Sequence, residues 1–181
     1  SIALVYGNDL DDLINNKKTV QDIYNSNYRF PPPPKKPTMT AVPGDGKVTL
    51  YWDRVAEESL DPVTKEKDFQ GYKIYRATDP NFNDVRNITD ANGLIQGYST
   101  LAQFDKKDEI NGYFYPSKNL FQDTKGYSFY LGDDSGLVHS YIDRDVQNGR
   151  TYYYALVAYD HGDEEKDIFP SENSKFISVL P

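Results

Sequence analysis

An all-β body is what the sequence predicts, and three observations carry the prediction. From Thr38 to Pro181 apolar residues recur with a period of two, and no segment there keeps a convincing helical period. Turn signals such as Gly44-Asp45-Gly46 and Asn148-Gly149 separate the alternating runs. Third, QNGRTYYYALVAYD at residues 147–160 sets three tyrosines side by side, and a pleated strand must divide them between its two faces.

The elements follow in chain order. Residues 1–30 differ from the rest. In NDLDDLINNKKTVQDIYNSNYRF, Asn8 or Asp9 can cap a helix, and Asp11 and Asp12 suit its first turn. Leu10, Leu13, Ile14, Val20, Ile23 and Tyr24 fall near a 3.6-residue period. This predicts an amphipathic helix, packed against a neighbouring domain or offered to a partner protein. Residues 31–37, PPPPKKP, favour an extended, semi-rigid spacer and mark a domain boundary, although such runs also serve as ligands for aromatic grooves. From Thr38 the period changes. MTAVP predicts a short strand ended by Pro43. KVTLYWD alternates with Val48, Leu50 and Trp52 on one face and Thr49, Tyr51 and Asp53 on the other. FQGYKIYRA sets Tyr72, Ile74 and Arg76 against Lys73 and Tyr75. In the tyrosine run, Tyr152, Tyr154, Leu156 and Ala158 form the inner set, and Tyr153, Ala155, Val157 and Tyr159 the outer.

Charge and composition narrow the chemistry. A net charge of −8 in 181 residues argues against a nucleic-acid partner, which needs clustered Lys and Arg. The absence of cysteine excludes disulfides, thiolate metal sites and a catalytic cysteine. No apolar run approaches the roughly 18 residues of a spanning helix, so no membrane insertion is expected. Beginning at Ser1, the chain reads as a piece of a longer polypeptide.

One stretch has the spacing of a calcium loop. Asp79, Asn81 and Asn83 set oxygen side chains at positions 1, 3 and 5, and Asp90 stands at position 12. It departs from the pattern at position 6, where Asp84 replaces the turn glycine, and at position 12, where Asp replaces Glu. An Asx-turn with a Pro-Asn bend accounts for the same residues. Asp133-Asp134 with Asp143 and Asp145 reads as a solvated hairpin end. Two histidines, His139 and His161, argue against zinc or iron. His161-Gly162-Asp163 reads as a turn, and Gly44-Asp45-Gly46-Lys47 lacks the spacing of a phosphate loop. Tyr51, Tyr75, Tyr153 and Tyr159, if exposed, would form a sugar-stacking platform, though tyrosine is also a good strand former.

The landmarks together resemble a fibronectin type III domain, an immunoglobulin-like β-sandwich. VTLYW resembles its second strand with the core tryptophan, GYKIYR its third, and FPSENSKFISV its last. Val146, the turn and Tyr152 resemble its tyrosine corner. DFQGYKIYRATDPNF, ITDANG, LGDDSGLVHSYID and NGRTYYYALVAYDHG together are similar to a module found in large secreted multidomain proteins of bacteria. The resemblance implies an extracellular or cell-surface, non-catalytic module whose partners are the neighbouring domains of its own polypeptide. Other surface proteins or glycans are the alternative partners. A typical domain of this kind has roughly 100 residues, so residues 77–136 are expected to be a long insertion within a body spanning 38–181. Its aromatics, from Tyr113 to Leu131, suit an extra hairpin.

Overall fold

A computed structural model describes residues 4–25, 32–61, 65–85, 88–89, 95–114, 129–164 and 168–173. Among the described residues helix is a minor part, 11%, and the strands lie in antiparallel sheets. Helix α1 spans Leu10–Asn25. Asp9 caps it: the Asp12 amide donates to Asp9 Oδ1 at 2.9 Å, and the Asp12 carboxylate accepts from the Asn8 amide at 2.8 Å. Both aspartates lie where the helix dipole favours negative charge. Leu10, Leu13, Ile14 and Tyr24 are all exposed on this helix.

β1 (Met39–Gly44), β2 (Lys47–Trp52) and β9 (Ser140–Asp143) form one antiparallel sheet in the order β1-β2-β9. β3 (Phe69–Ala77), β6 (Ala102–Asp105) and β10 (Tyr153–Asp160) form a second in the order β10-β3-β6. β1 runs one residue past its expected end, with Pro43 opposite Val48. As an edge strand it tolerates a residue that lacks an amide donor.

The two sheets share one core. Met39, Val48, Leu50 and Trp52 from the first meet Phe69, Tyr72, Ile74, Tyr154, Leu156 and Ala158 from the second, with Tyr152 just ahead of β10. The parity read from the sequence holds along β2, β3 and β10. Edge-on packing of Trp52 against Tyr72, centroids 5.8 Å apart, joins the layers.

The expected insertion divides in two. Its β6 joins the second sheet by pairing with β3 from Gly71–Asp105 to Ile74–Ala102. Among its other described residues, β4 (Ile88–Thr89) pairs with β5 (Ile95–Gly97) and β7 (Gly112–Tyr113) with β8 (Tyr130–Gly132), two small antiparallel pairs. Gly71 marks how closely one of its neighbours approaches: a Cβ there would stand 2.4 Å from Phe104 O and 2.7 Å from the Tyr159 hydroxyl.

Tyr152 is buried, and its hydroxyl accepts a hydrogen bond from the Gln147 amide at 2.9 Å. The bond reaches the residue after Val146 and closes the Asn148-Gly149 turn, where Gly149 has φ +80°. Tyr152→Phe is expected to lose about 0.5–1.5 kcal/mol. Tyr153→Phe should lose much less, since no described bond to its hydroxyl closes a turn. Equal urea midpoints for both variants and the parent would contradict this.

Candidate functional sites

The calcium-spaced stretch follows β3. Asp79 Oδ1 accepts from the Asn81 amide at 3.2 Å, while Oδ2 accepts from the Asn83 amide at 3.1 Å and from Asn83 Nδ2. A 3₁₀ turn, Asn83–Val85, begins at that point, and Phe82, at φ 54°, drives its ring into the buried cluster of Tyr75 and Val157. Asp84 turns back to accept from the amide and hydroxyl of Thr78 at 2.7 and 2.9 Å. The carboxylates of Asp79 and Asp84 thus face the loop's own donors, the geometry of an Asx-turn. Asp90 lies outside the described residues.

The second acidic group separates into two sites with different partners. Asp143, expected to be solvated, is only 2% exposed. The Arg76 guanidinium donates to its two oxygens at 3.1 and 3.0 Å, the Tyr154 hydroxyl at 2.8 Å and the Asp145 amide at 3.0 Å. Arg76 also reaches Asp145 Oδ2 at 2.9 Å. Asp143 is buried because it closes β9, an edge of one sheet, against the end of β3 in the other. Burial first, and then the bond to Asp143, push the Tyr154 hydroxyl up.

Asp133 and Asp134 belong with Asp105 instead. Asp105 is buried and accepts from the amides of Asp134 and Ser135 at 2.6 and 2.9 Å and from the Ser135 hydroxyl at 2.5 Å. A Cβ at Gly132, φ +137°, would collide with Asp105 Cγ, so glycine is needed for this turn. Asp134 accepts from the amides of Asp108 and Glu109 and from Asn111 Nδ2, and the bond from Asn111 leads in holding it below its ordinary value. Tyr130 donates to Asp133, which pushes the Tyr130 hydroxyl up to about 12. Among the described residues, no group of three or more His, Asp or Glu has the arrangement of a metal site.

The four tyrosines do not form a common platform. Tyr51 is exposed and Tyr153 half-buried, but Tyr75 and Tyr159 are buried at 7% and 0% exposure. The outer face of the second sheet carries two further apolar clusters. One joins Tyr75 and Val157 to Phe82, and the other joins Tyr159 to Phe114, Phe129 and Leu131. Alternation alone showed which face these tyrosines occupy. It could not show that the chain's own insertion covers that face.

Lys73 lies between these rings. Its ammonium stands 3.7 Å from the Phe129 centroid and 4.8 Å from that of Tyr159, with Glu172 at 3.3 Å. Burial lowers its pKa, and Glu172 opposes the shift. The interaction ties β3, β8's approach and the chain end together. Its sequence signal was one lysine in an outward position between aromatic neighbours, which usually means solvent.

The two histidines have separate partners. His139 Nε2 bonds to Glu57 Oε1, which also accepts from the Tyr72 hydroxyl at 3.1 Å. His161 Nδ1 faces Gly162 O at 2.6 Å in a turn closed by the Asp163–Ile168 bridge, as expected for a loop. No serine or threonine hydroxyl bonds to either ring among the described residues.

No family model, curated protein or solved structure matches the chain. Its own geometry therefore defines its class: an all-β protein of antiparallel sheets. Buried Lys73, Asp105, Asp143 and Asp160 are each bound to other groups of the same chain.

Proposed function

We propose that this chain is a non-catalytic structural module, a fibronectin type III-like sandwich, in a secreted, surface-associated bacterial protein. The observation that carries the reading is how its buried polar groups are used. Arg76–Asp143, Lys73–Glu172 and Asp105 with its turn each join elements distant in the chain. The strand division supports the sandwich: β1, β2 and β9 on one sheet and β3 and β10 on the other follow the immunoglobulin-like pattern. So does the Tyr152 corner, and so does the isolated Tyr159–Glu172 bridge, which sets Glu172 beside β10. The secreted location rests on the sequence resemblance.

Its partners in this reading are neighbouring domains. The exposed apolar residues of α1 face them, while the proline-rich segment is seated on the body: Pro34 and Pro37 are buried, and Asn173 Nδ2 donates to Pro34 O at 3.0 Å. Antibodies against the chain should label intact cells of the source organism. Labelling only after permeabilisation would overturn the surface assignment.

A ligand-binding module is the second reading. Tyr113 is half exposed and packs on Tyr130 with centroids 5.1 Å apart, a small aromatic surface on the insertion. A glycan array would detect binding lost in Tyr113→Ala; silence of the parent chain across glycans favours the structural role.

The calcium reading of Asp79, Asn81, Asn83 and Asp90 makes a separate prediction. The cation would have to displace the amides that now face Asp79. Binding to the folded form would add about 2.7 kcal/mol at a hundredfold excess over Kd. The melting temperature should then rise in millimolar calcium relative to chelator, and the rise should vanish in Asp79→Ala. An unchanged melt leaves the stretch as a turn.

A further inference from the structure

Asp160 ends β10 with 3% of its surface exposed. Its Oδ1 accepts from the amides of Gly162 and Ser171 at 3.2 and 2.9 Å, and its Oδ2 from the Ser171 hydroxyl at 2.5 Å. The backbone completes the join: Asp160 N donates to Ser171 O at 3.1 Å and Asn173 N to Ala158 O at 3.0 Å. One carboxyl group therefore helps to seat residues 171–173 on the sheet.

The charges around it do not neutralise it. Among the described residues no basic side chain forms an ion pair with Asp160. Asp160 lies opposite Phe69 at the start of β3, where Asp68 immediately precedes, and the His161 amide donates to Asp68 O. Asp68 is itself half-buried, with Asp61, His161 and Lys106 around it. On the terminal segment, Glu172 is turned towards Lys73. Asp160 thus has a like charge beside it and no cation of its own.

We propose that Asp160 is a proton-operated clasp: protonated, it holds residues 170–173 on β10, and ionised, beside Asp68, it lets them open locally. Burial disfavours the charged form, and a neighbouring carboxylate adds to the effect. Burial pushes Asp160 up to about 6, against the opposing bonds from Ser171, and Asp68 adds to the rise. Asp68 is also raised, chiefly by burial.

The sign follows from linkage. The closed-state value lies above the open-state one, near 3.9. The stabilisation by the proton is therefore complete below about pH 4 and is lost as pH rises through about 6. This is opposite to a salt-bridged aspartate, whose contribution is lost on acidification.

Native-state hydrogen exchange on the full chain tests it at the amides of Ser171 and Asn173. Their protection factors should rise by about tenfold from pH 7.5 to pH 5, the factor those two values give by linkage. Amides of Val48 and Leu50 in β2 serve as the reference and should rise by less. In Asp160→Asn, a neutral isostere, the gain should disappear. Asp68→Asn should reduce it, and this variant decides the matter if Asp160→Asn does not fold. Protection that is flat or falls on acidification, a gain shared equally by β2, or a full gain in either variant would overturn the proposal.

Discussion

Replacing Trp52 by alanine is expected to destabilise the protein by about 3–5 kcal/mol, the largest effect of any single substitution considered. The indole is 6% exposed and packs between Tyr72 and Phe104, at centroid distances of 5.8 and 6.3 Å. Its loss opens a cavity where the two sheets meet, and backbones held by six-residue ladders in β1 and β2 cannot collapse to fill it. The indole N–H has no acceptor among the described residues, so the loss is one of packing and apolar burial. Urea denaturation gives the cost as a lower midpoint at unchanged slope. Because Trp52 is the only tryptophan, its fluorescence reports this site alone. Emission typical of a water-exposed indole in the folded protein would refute the placement.

Asp143→Ala should cost about 3 kcal/mol, the lower end of the range for breaking a buried ion pair. The lower end applies because Arg76 keeps Asp145 and its side chain is 21% exposed, so solvent screens part of the uncompensated charge. The variant also strands the buried Tyr154 hydroxyl and frees the Asp145 amide. Removing Arg76 as well, in Arg76→Met with Asp143→Ala, should cost less than the sum of the two single changes, since the charge that suffered is gone. A double-mutant cycle measures the difference. Strict additivity would mean that the pair does not couple the sheets.

Much of the core was legible because burial on one face of a strand leaves a period of two. Leu50, Trp52, Tyr72, Ile74, Tyr154 and Leu156 all carry that mark. The cap at Asp9 was legible as well, because capping is decided within one helical turn. Asp143 and Asp105 were not. An aspartate beside a turn has the same sequence context whether solvent or a guanidinium 67 residues away satisfies it. Lys73 and Asp160 were hidden for the same reason: their partners, Glu172 and Ser171, are 99 and 11 positions along the chain.

By itself, then, the sequence determined what depends on neighbours: the helix and its cap, the alternating strands, the facing of Trp52, and the turn before Tyr152. Only the tertiary structure decided that β6 joins the second sheet and that Phe82, Phe114, Phe129 and Leu131 pack on the outer face, where Tyr75 and Tyr159 are buried. It also decided which carboxylates are paired with a cation and which, like Asp160, are not. The physical reason is range. Periodicity and capping act within a few residues, whereas coverage of a face and desolvation of a charge depend on segments that the chain brings together only when it folds.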